Sequence, residues 1–206
     1  MNKEELKELI IASLKEQGFV VVDNRIKLPP DTEKNKIREL HEISVRHKRD
    51  NANINLKKKE RKLIRYIAGG SEIDPGKIKP CLVSVTSGSM EELLFRYASL
   101  HWSIPVSSGY GRRLRFLVMD SYHEKLIGLI GLGDPVYSLK ARDAWIGWES
   151  EQKRQKLSYV MDAFVLGAVP PYSYLLCGKL VAMLAASNEV REAFREKYGG
   201  KQSLIQ

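Results

Sequence analysis

The sequence predicts an α/β protein preceded by a basic helical segment, and three features carry this prediction. From about residue 71 onwards, β-prone apolar runs alternate with segments of helical periodicity, as in a sheet flanked by helices. The 206 residues are 43% hydrophobic and 29% charged, which allows a sizeable core and argues against wholesale disorder. The net charge of +9 is concentrated before residue 70. We therefore divide the chain into a basic helical N-terminal segment, 1–70, and an α/β body, 71–206.

The first thirty residues predict a helix followed by a β-prone stretch. Residues 3–17 are amphipathic, because Leu6, Leu9, Ile10 and Leu14 share one helical face. Asn2 is suited to cap the start of this helix and Gly18 to end it. The stretch FVVVDNRIKLP (19–29) follows, with Asp23-Asn24 as its turn.

Residues 31–68 predict two helical pieces with a large positive charge. The poor helix formers NANIN (51–55) are expected to separate the pieces, and Gly69-Gly70 with DPG (74–76) to mark the boundary of the segment. Between Lys34 and Arg65, twelve Lys and Arg face four Asp and Glu, an excess of +8. So local an excess indicates a polyanionic partner more strongly than a uniformly basic surface does.

The densest part of this segment is the candidate nucleic-acid interface. Its basic residues are Lys57, Lys58, Lys59, Arg61, Lys62 and Arg65. The alternative is a solvated helix face with no partner. Tyr66 alone interleaves the run, so contact with the backbone of duplex DNA is favoured over stacking on single-stranded bases.

The body begins with predicted strands and one capped helix. IKPCLVSV (78–85) is a strand candidate, and Ser89 with Glu92 forms a capping box, so a helix is expected from about Met90. Residues 114–120 and 125–133 predict a hairpin around the short turn SYHE. The glycines of LIGLIGLG are expected to allow close packing within the sheet.

The end of the body predicts two buried elements and an amphipathic helix. The near-continuous apolar character of 161–169 predicts a strand buried on both faces. Residues 173–187 are apolar almost all round, which predicts a buried helix. In the last helix, Val190, Phe194 and Tyr198 are expected to point inward.

Several kinds of site are not supported by the spacing of residues. GYGRRL (109–114) and GLGDPV (131–136) lack the third glycine of a dinucleotide fingerprint. The two cysteines, Cys81 and Cys177, form no zinc or disulfide pattern, and the four histidines are scattered singly. No metal site is therefore predicted, and the cofactor is unknown.

Carboxylates near residue 150 raise the alternative of a metal-dependent nuclease. They are Asp134, Asp143, Glu149, Glu151 and Asp162, and Glu151-Gln152-Lys153 reads E-x-K. However, the E-x-K residues fall in a segment that predicts a surface helix, where charge pairing between neighbouring turns is the simpler interpretation.

The stretch ARDAWIGW (141–148) has two interpretations. Trp145 and Trp148 would share one face if the segment were helical. They could pin a loop to the core, with Arg142–Asp143 as a polar latch. Alternatively, tryptophan and arginine could supply the anchors of a binding surface.

The order of hairpin, loop with charged helix, strand and buried helix resembles the core of GNAT acetyltransferases, a mixed sheet flanked by helices. That resemblance implies binding of acyl-coenzyme A at the start of the helix after 161–169. The expected glycines are missing there, because PPYSYLLCGK has two prolines and no glycine before Gly178. Acyl transfer is therefore kept only as an alternative function.

A second resemblance covers roughly residues 85–200. Five segments in order resemble the DruA family of the Druantia anti-phage defence system: RFLVMD, KLIGLIGLGDPV, ARDAWIGW, VMDAFVLGAVPPYSYLLCGKLVAMLAAS and EVREAFREKYGG. The resemblance implies defence against foreign DNA together with partner proteins, including a large helicase-like component. It makes Arg142, Asp143 and Trp148 the candidate catalytic residues. Family members continue beyond this chain, so a C-terminally truncated member is expected.

The first functional hypothesis is therefore a DNA-binding component of an anti-phage or mobile-element system, acting with other defence proteins. The alternatives are a GNAT-like acyltransferase or metal-dependent nuclease, and an interaction module that docks through Trp145 and Trp148. The N-terminus is no signal peptide and no 18-residue apolar run occurs, so we expect a cytoplasmic protein with no membrane partner.

Overall fold

The structure, a computed structural model, describes residues 2–16, 19–27, 34–104, 106–107 and 111–199. The chain forms two compact units. One comprises Met1–Lys59 with Ser99–Val106, and the other Glu60–Ala98 with Ser107–Gln206. The division at residue 70 stays a prediction, and the units are described separately.

The first unit contains helix α1 (Lys3–Glu16), strands β1 (Val20–Val22) and β2 (Arg25–Lys27), and helix α2 (Lys34–Leu56). The predicted cap is confirmed, because Glu5 N donates to Asn2 Oδ1 at 2.8 Å and Asn2 N donates to Glu5 Oε2 at 2.9 Å. β1 and β2 pair antiparallel around the predicted turn at Asp23 and Asn24. The predicted end of the first helix at Gly18 lies outside the described residues.

The predicted break at NANIN is wrong, since α2 continues through residues 51–55. Each asparagine costs only a fraction of a kcal/mol relative to alanine in a helix, and the stretch has no glycine or proline. Propensity is a weak preference that a long helix readily overrides. A 3₁₀ turn, Lys57–Lys59, follows directly.

The second unit begins with the short helix α3 (Glu60–Leu63) and is built on a four-stranded sheet. Its strands are β3 (Pro80–Ser84), β4 (Arg113–Asp120), β5 (Lys125–Gly133) and β6 (Asp162–Ala168), in that spatial order. Every pairing is antiparallel, so the described sheet is not the mixed sheet that was predicted. The α/β class is confirmed, whereas the likeness to GNAT acetyltransferases stays a prediction.

Five longer helices follow α3 in the described part of the chain: α4 (Met90–Leu100), α5 (Lys140–Ile146), α6 (Ser150–Lys156), α7 (Cys177–Leu184) and α8 (Asn188–Tyr198). The core combines alternate residues of β4 with residues of β5, α7, α8 and the 3₁₀ turn before α7: Leu114, Phe116, Val118, Ile127, Ile130, Tyr172, Cys177, Val181 and Val190. Phe194 and Tyr198 pack against it, so the predicted inward face of the last helix is confirmed.

The glycines of β5 lie where a side chain would collide with its neighbours. A Cβ on Gly128 would be 2.3 Å from the carbonyl oxygen of Gly167, and one on Gly131 would be 2.6 Å from Phe164 Cζ. Both neighbours belong to the adjacent strand β6. The predicted close packing within the sheet is therefore confirmed.

Two predictions of full burial are wrong. β6 is an edge strand that pairs only with β5 among the described residues, and its Leu166 is exposed. The predicted helix over 173–187 is a 3₁₀ turn, Tyr172–Leu175, followed by α7, and Tyr174, Leu176 and Met183 are exposed. An apolar pattern shows that a segment can be buried but not whether another element covers it. None of the described helices could cross a membrane.

Candidate functional site

The basic run consists of three short helical turns that follow one another in the sequence. The 3₁₀ turn Lys57–Lys59, α3 and a second 3₁₀ turn, Ile64–Tyr66, follow one another, and Leu63 is fully buried. Five basic side chains are exposed to solvent: Lys58, Lys59, Arg61, Lys62 and Arg65. We call these five the exposed basic group. Lys58 and Lys59 belong to the first unit and the others to the second. The side chain of Lys57 lies outside the described residues.

No residue of the exposed basic group forms an ion pair or side-chain hydrogen bond within the part of the chain that the structure describes. Three arginines of the sheet region behave differently. Arg112 pairs with Asp134 at 2.6 Å, Arg115 with Glu92 at 3.0 Å, and Arg142 with Asp143 at 2.8 Å. Those three arginines pair with carboxylates of the protein, whereas the N–H donors of the exposed basic group are available to solvent or a ligand.

Part of the exposed basic group borders an open groove of the second unit, with a volume of about 640 Å³. Its lining residues are Lys62, Arg65, Tyr66, Met90, Met119, Asp120, Ser121 and Glu124. Lys125 fixes one edge, because its Nζ donates to the carbonyl oxygen of Arg65 at 2.9 Å and pairs with Glu72 at 3.2 Å. Sequence reasoning found the two cations of this groove but not its apolar and acidic lining.

Asp120 is fully buried beside the groove and accepts hydrogen bonds on both oxygens. Oδ1 accepts from the backbone N–H of Lys79 at 3.0 Å and of Tyr122 at 3.1 Å. Oδ2 accepts from the hydroxyl of Tyr172 at 2.9 Å and lies 2.6 Å from His123 Nδ1. The carboxylate therefore joins the end of β4 to the segment after β6.

The backbone determines the tautomer of His123. The N–H of Asp74 donates to His123 Nε2 at 3.1 Å, so that nitrogen carries no proton. Nδ1 then carries the proton and donates it to Asp120. Both ring nitrogens are occupied, so this histidine resembles a structural link more than a free acid or base.

The ionisation of this cluster follows from its surroundings. Burial opposes ionisation of Asp120, but hydrogen bonds from the Lys79 N–H, His123 and Tyr172 outweigh it, so the pKa of Asp120 is lowered. Burial raises the pKa of Tyr172, and its hydrogen bond to the Asp120 carboxylate raises it further. Burial and the charge of Asp120 also raise the pKa of the Cys177 thiol.

Arg142 and Asp143 lie at the centre of a second saturated cluster. Asp143 Oδ1 accepts from Arg142 Nε at 3.0 Å and Nη2 at 2.8 Å, while Oδ2 accepts from Lys153 Nζ at 3.0 Å. The guanidinium also donates to the carbonyl oxygens of Val136 at 2.9 Å and Tyr137 at 3.2 Å. Burial opposes ionisation of Asp143, but these cations outweigh it and lower its pKa. Of the two interpretations of ARDAWIGW, this arrangement agrees with the one in which Arg142 and Asp143 form a polar latch.

The two tryptophans of ARDAWIGW lie in different environments. α5 ends at Gly147, which has a left-handed φ of 76°, so the chain turns between them. Trp148 is half-buried, with the Arg142 guanidinium 5.9 Å from its ring centre. Trp145 is 89% exposed and cannot pin the loop to the core. The sequence did not distinguish these two roles.

Arg112 is a structural residue that sequence reasoning missed. Its Nε donates to Asp134, and its Nη groups donate to the carbonyl oxygens of Ser158 and Val160. These partners are 22 to 48 residues away in sequence, so no local pattern could reveal them. A Cβ on the neighbouring Gly111 would lie 2.1 Å from Asp134 Oδ2, which explains one glycine of the G-x-G pair.

Among the described residues, no group of three or more His, Cys, Asp and Glu could hold a metal ion. Of the carboxylates considered for a nuclease, Asp134 and Asp143 are held by the ion pairs above. Glu151 pairs with Arg154 at 3.1 Å on the surface helix α6, as the charge-pairing interpretation predicted.

Together these features define an α/β protein with an antiparallel sheet, two internally saturated polar clusters and a solvent-facing basic group. The sequence profile described as Druantia protein DruA matches residues 31–206, and the chain belongs to the DruA family. The chain is 44% identical over 206 residues to the Druantia protein DruA of Escherichia coli (strain UMEA 4076-1). The match covers 100% of this chain and 51% of that protein, so the chain spans about half the length of its curated relative. No solved structure matches significantly.

Proposed function

We propose that this protein is a DNA-binding component of an anti-phage defence system of the Druantia type, acting in the cytoplasm with other defence proteins. Membership of the DruA family supports the defence role. The observation that carries DNA binding is the exposed basic group, whose five cations have no partner in the described part of the chain. A phosphate backbone is the natural counterpart of such a group.

The physical basis is the release of counterions. Double-stranded DNA holds a condensed layer of cations, and each phosphate neutralised by lysine or arginine frees counterions into solution. This gain requires charges that are free to approach the phosphates. Arg112, Arg115 and Arg142 would have to give up a carboxylate first, whereas the exposed basic group would not.

No specific contact favours the enzymatic alternatives over DNA binding. The candidate catalytic residues Arg142 and Asp143 satisfy each other's hydrogen-bonding groups, and Trp148 packs on Arg142. We therefore propose that these three residues position the loop between β5 and β6. Acyl transfer and metal-dependent nuclease activity stay hypotheses from the sequence.

Neutralising the exposed basic group should weaken binding to duplex DNA and its dependence on salt. We expect a variant with Lys58, Lys59, Arg61, Lys62 and Arg65 changed to Gln to lose about 0.9 from the slope of log K against log salt for each phosphate contact removed. The measurement is fluorescence anisotropy of a labelled duplex over a salt series, starting at low salt.

The matched control removes the same number of charges elsewhere. Its five exposed residues, changed to Gln, are Lys140, Lys156, Lys179, Arg191 and Arg195. This control should keep most of the native slope. If both variants lost the same amount of slope, the loss would come from the net charge and not from the exposed basic group. If the native chain did not bind the duplex at low salt, the proposed function would be wrong.

We further propose that Trp145 is the docking point for another protein of the same defence system. Its side chain is 89% exposed, and Tyr137 and Ile146 of the same connection are also exposed. An exposed tryptophan beside other exposed apolar residues offers a surface for a partner, and tryptophan is enriched among the residues that dominate binding energy.

Replacing Trp145 by Ser should abolish capture of that partner without unfolding the chain. The chain would be tagged and co-expressed with the other proteins encoded in its system, and a loss of captured partner of at least about tenfold is expected. Tyr174→Ser is the control, because Tyr174 is 81% exposed on a different element. Full capture by the Trp145 variant would refute the docking role.

A further inference from the structure

We infer that the groove bordered by Lys62 and Arg65 binds one unpaired nucleotide of a DNA strand, with its phosphate on the two cations and its base against Tyr66, Met90 and Met119. This inference rests on the proposed function and adds to it a preference for DNA with single-stranded tails or gaps. It departs from the interpretation of the sequence, in which duplex backbone contact was favoured.

The phosphate side of the groove is formed by neighbouring turns of the chain. Lys62 lies in α3 and Arg65 in the following 3₁₀ turn, three residues later, and both line the groove. Both are exposed, and neither pairs with a carboxylate among the described residues. The bond from Lys125 to the Arg65 carbonyl holds the backbone of this turn in place. Both cations are therefore available to the single phosphate of a bound nucleotide.

The apolar part of the groove lining comes from three separate elements. Tyr66 follows α3, Met90 begins α4 and Met119 lies in β4, and all three are partly buried. An aromatic ring and polarisable thioethers suit the flat face of a nucleobase. The volume of about 640 Å³ is within the range of clefts that hold small ligands.

The bases of duplex DNA cannot stack on the apolar lining of this groove. In a duplex, both faces of each base are stacked on neighbouring bases, and only the base edges are accessible, in the grooves. Contact with phosphates alone would need the cations but not Tyr66, Met90 and Met119. Cations without an ion pair beside an apolar lining therefore indicate that the groove binds an unpaired nucleotide.

The remaining lining residues suggest which bases are preferred. Glu124 is exposed and forms no ion pair or side-chain hydrogen bond with a described residue. Its carboxylate repels phosphate but can accept from an exocyclic amino group such as that of cytosine. Ser121 Oγ donates to the Lys79 carbonyl at 3.1 Å, which leaves its lone pairs free to accept. Asp120 is already saturated and takes no part.

The test compares two duplexes of equal paired length, one blunt and one with a short single-stranded tail of deoxycytidines, at the same salt concentration. The intact chain should bind the tailed duplex about tenfold more tightly than the blunt one, the gain expected from stacking one base. Tyr66→Leu keeps an apolar side chain but removes the aromatic ring, so the ratio of its affinities for the tailed and the blunt duplex should fall towards one. Tyr174→Leu is the control and should keep the preference.

A second measurement uses the unaltered chain, so it does not depend on how the variant folds. A tail carrying 5-bromouracil should cross-link under ultraviolet light to Tyr66, Met90 or Met119, as identified by mass spectrometry. Cross-links confined to residues outside the groove would overturn the inference.

The outcomes separate this inference from the proposed function. If blunt and tailed duplex bound equally well while the exposed basic group still determined the salt dependence, the inference about the groove would be wrong. The proposal of DNA binding would remain. If Tyr66→Leu kept the preference for tailed over blunt duplex, the groove would not be the cause of that preference. No binding to either duplex at low salt would overturn both proposals.

Discussion

Replacing Asp120 by alanine is expected to lower the free energy of unfolding by about 3–5 kcal/mol, a large part of the stability of an ordinary domain. Asp120 is fully buried and accepts from three backbone N–H groups and from the side chains of His123 and Tyr172. Alanine would leave these donors without an acceptor inside the protein, and each buried orphan costs about 1–3 kcal/mol unless water reaches it. Urea unfolding followed by circular dichroism measures the loss.

Two further variants show whether the loss comes from this cluster. Asp120→Asn keeps the size of the side chain and an oxygen for the backbone donors, but its amide faces the N–H of His123, so an intermediate loss is expected. Asp162→Ala removes an exposed carboxylate from β6 and should change stability by about 0.5 kcal/mol or less. If Asp120→Ala were as mild as Asp162→Ala, the assigned role of the cluster would be wrong.

Acidification adds a check on the sign of this effect. The pKa of Asp120 is lowered in the folded protein, so the folded state binds fewer protons than the unfolded state near that pH. Its stabilisation is therefore present above the unfolded pKa of about 3.9 and is lost as the pH falls further. The difference in stability between the native chain and Asp120→Asn should shrink over that acidic range.

Elements governed by neighbouring residues were predictable from the sequence. Ser89 accepts from Glu92 N at 3.2 Å, as the capping box requires, although the Glu92 carboxylate binds Gly88 N instead of the N–H of Ser89. The β4–β5 hairpin formed around its four-residue turn because both strands and the turn are contiguous in sequence. In these cases the partners lie within a few residues, and spacing alone identifies them.

Burial and the details of the site depend on partners that are distant in sequence. Tyr172 reaches Asp120 across 52 residues, and the groove joins Tyr66 to Met90 and Met119. Charge density did identify the exposed basic group, because a run of like charges has few local partners. The number of charged residues in the sequence could not show that Arg112 and Arg142 are paired with carboxylates inside the protein. Composition shows which charges are present, whereas only the packing shows which of them remain available.

Raising the pH above about 10 should destabilise the native chain more steeply than a Tyr172→Phe variant. Burial and the Asp120 carboxylate raise the pKa of Tyr172, so above the unfolded pKa of about 10 the folded state holds a proton that the unfolded state has released. The stabilisation is complete below that pH and declines as the pH rises towards the folded pKa. Phenylalanine has no proton to lose, so this part of the slope disappears.

At neutral pH the Tyr172→Phe variant should be less stable by about 1 kcal/mol, because the hydrogen bond to Asp120 is lost, and this deficit should shrink as the pH rises above 10. The raised pKa of Cys177 adds an alkaline slope that starts at lower pH, but both proteins share it. Tyr174→Phe, at an exposed position, should follow the native curve throughout. Parallel curves for the native chain and Tyr172→Phe from neutral pH to above pH 10 would mean that the phenol is not held protonated by its burial beside Asp120, because only a difference in proton binding between the folded and unfolded states can make the curves converge.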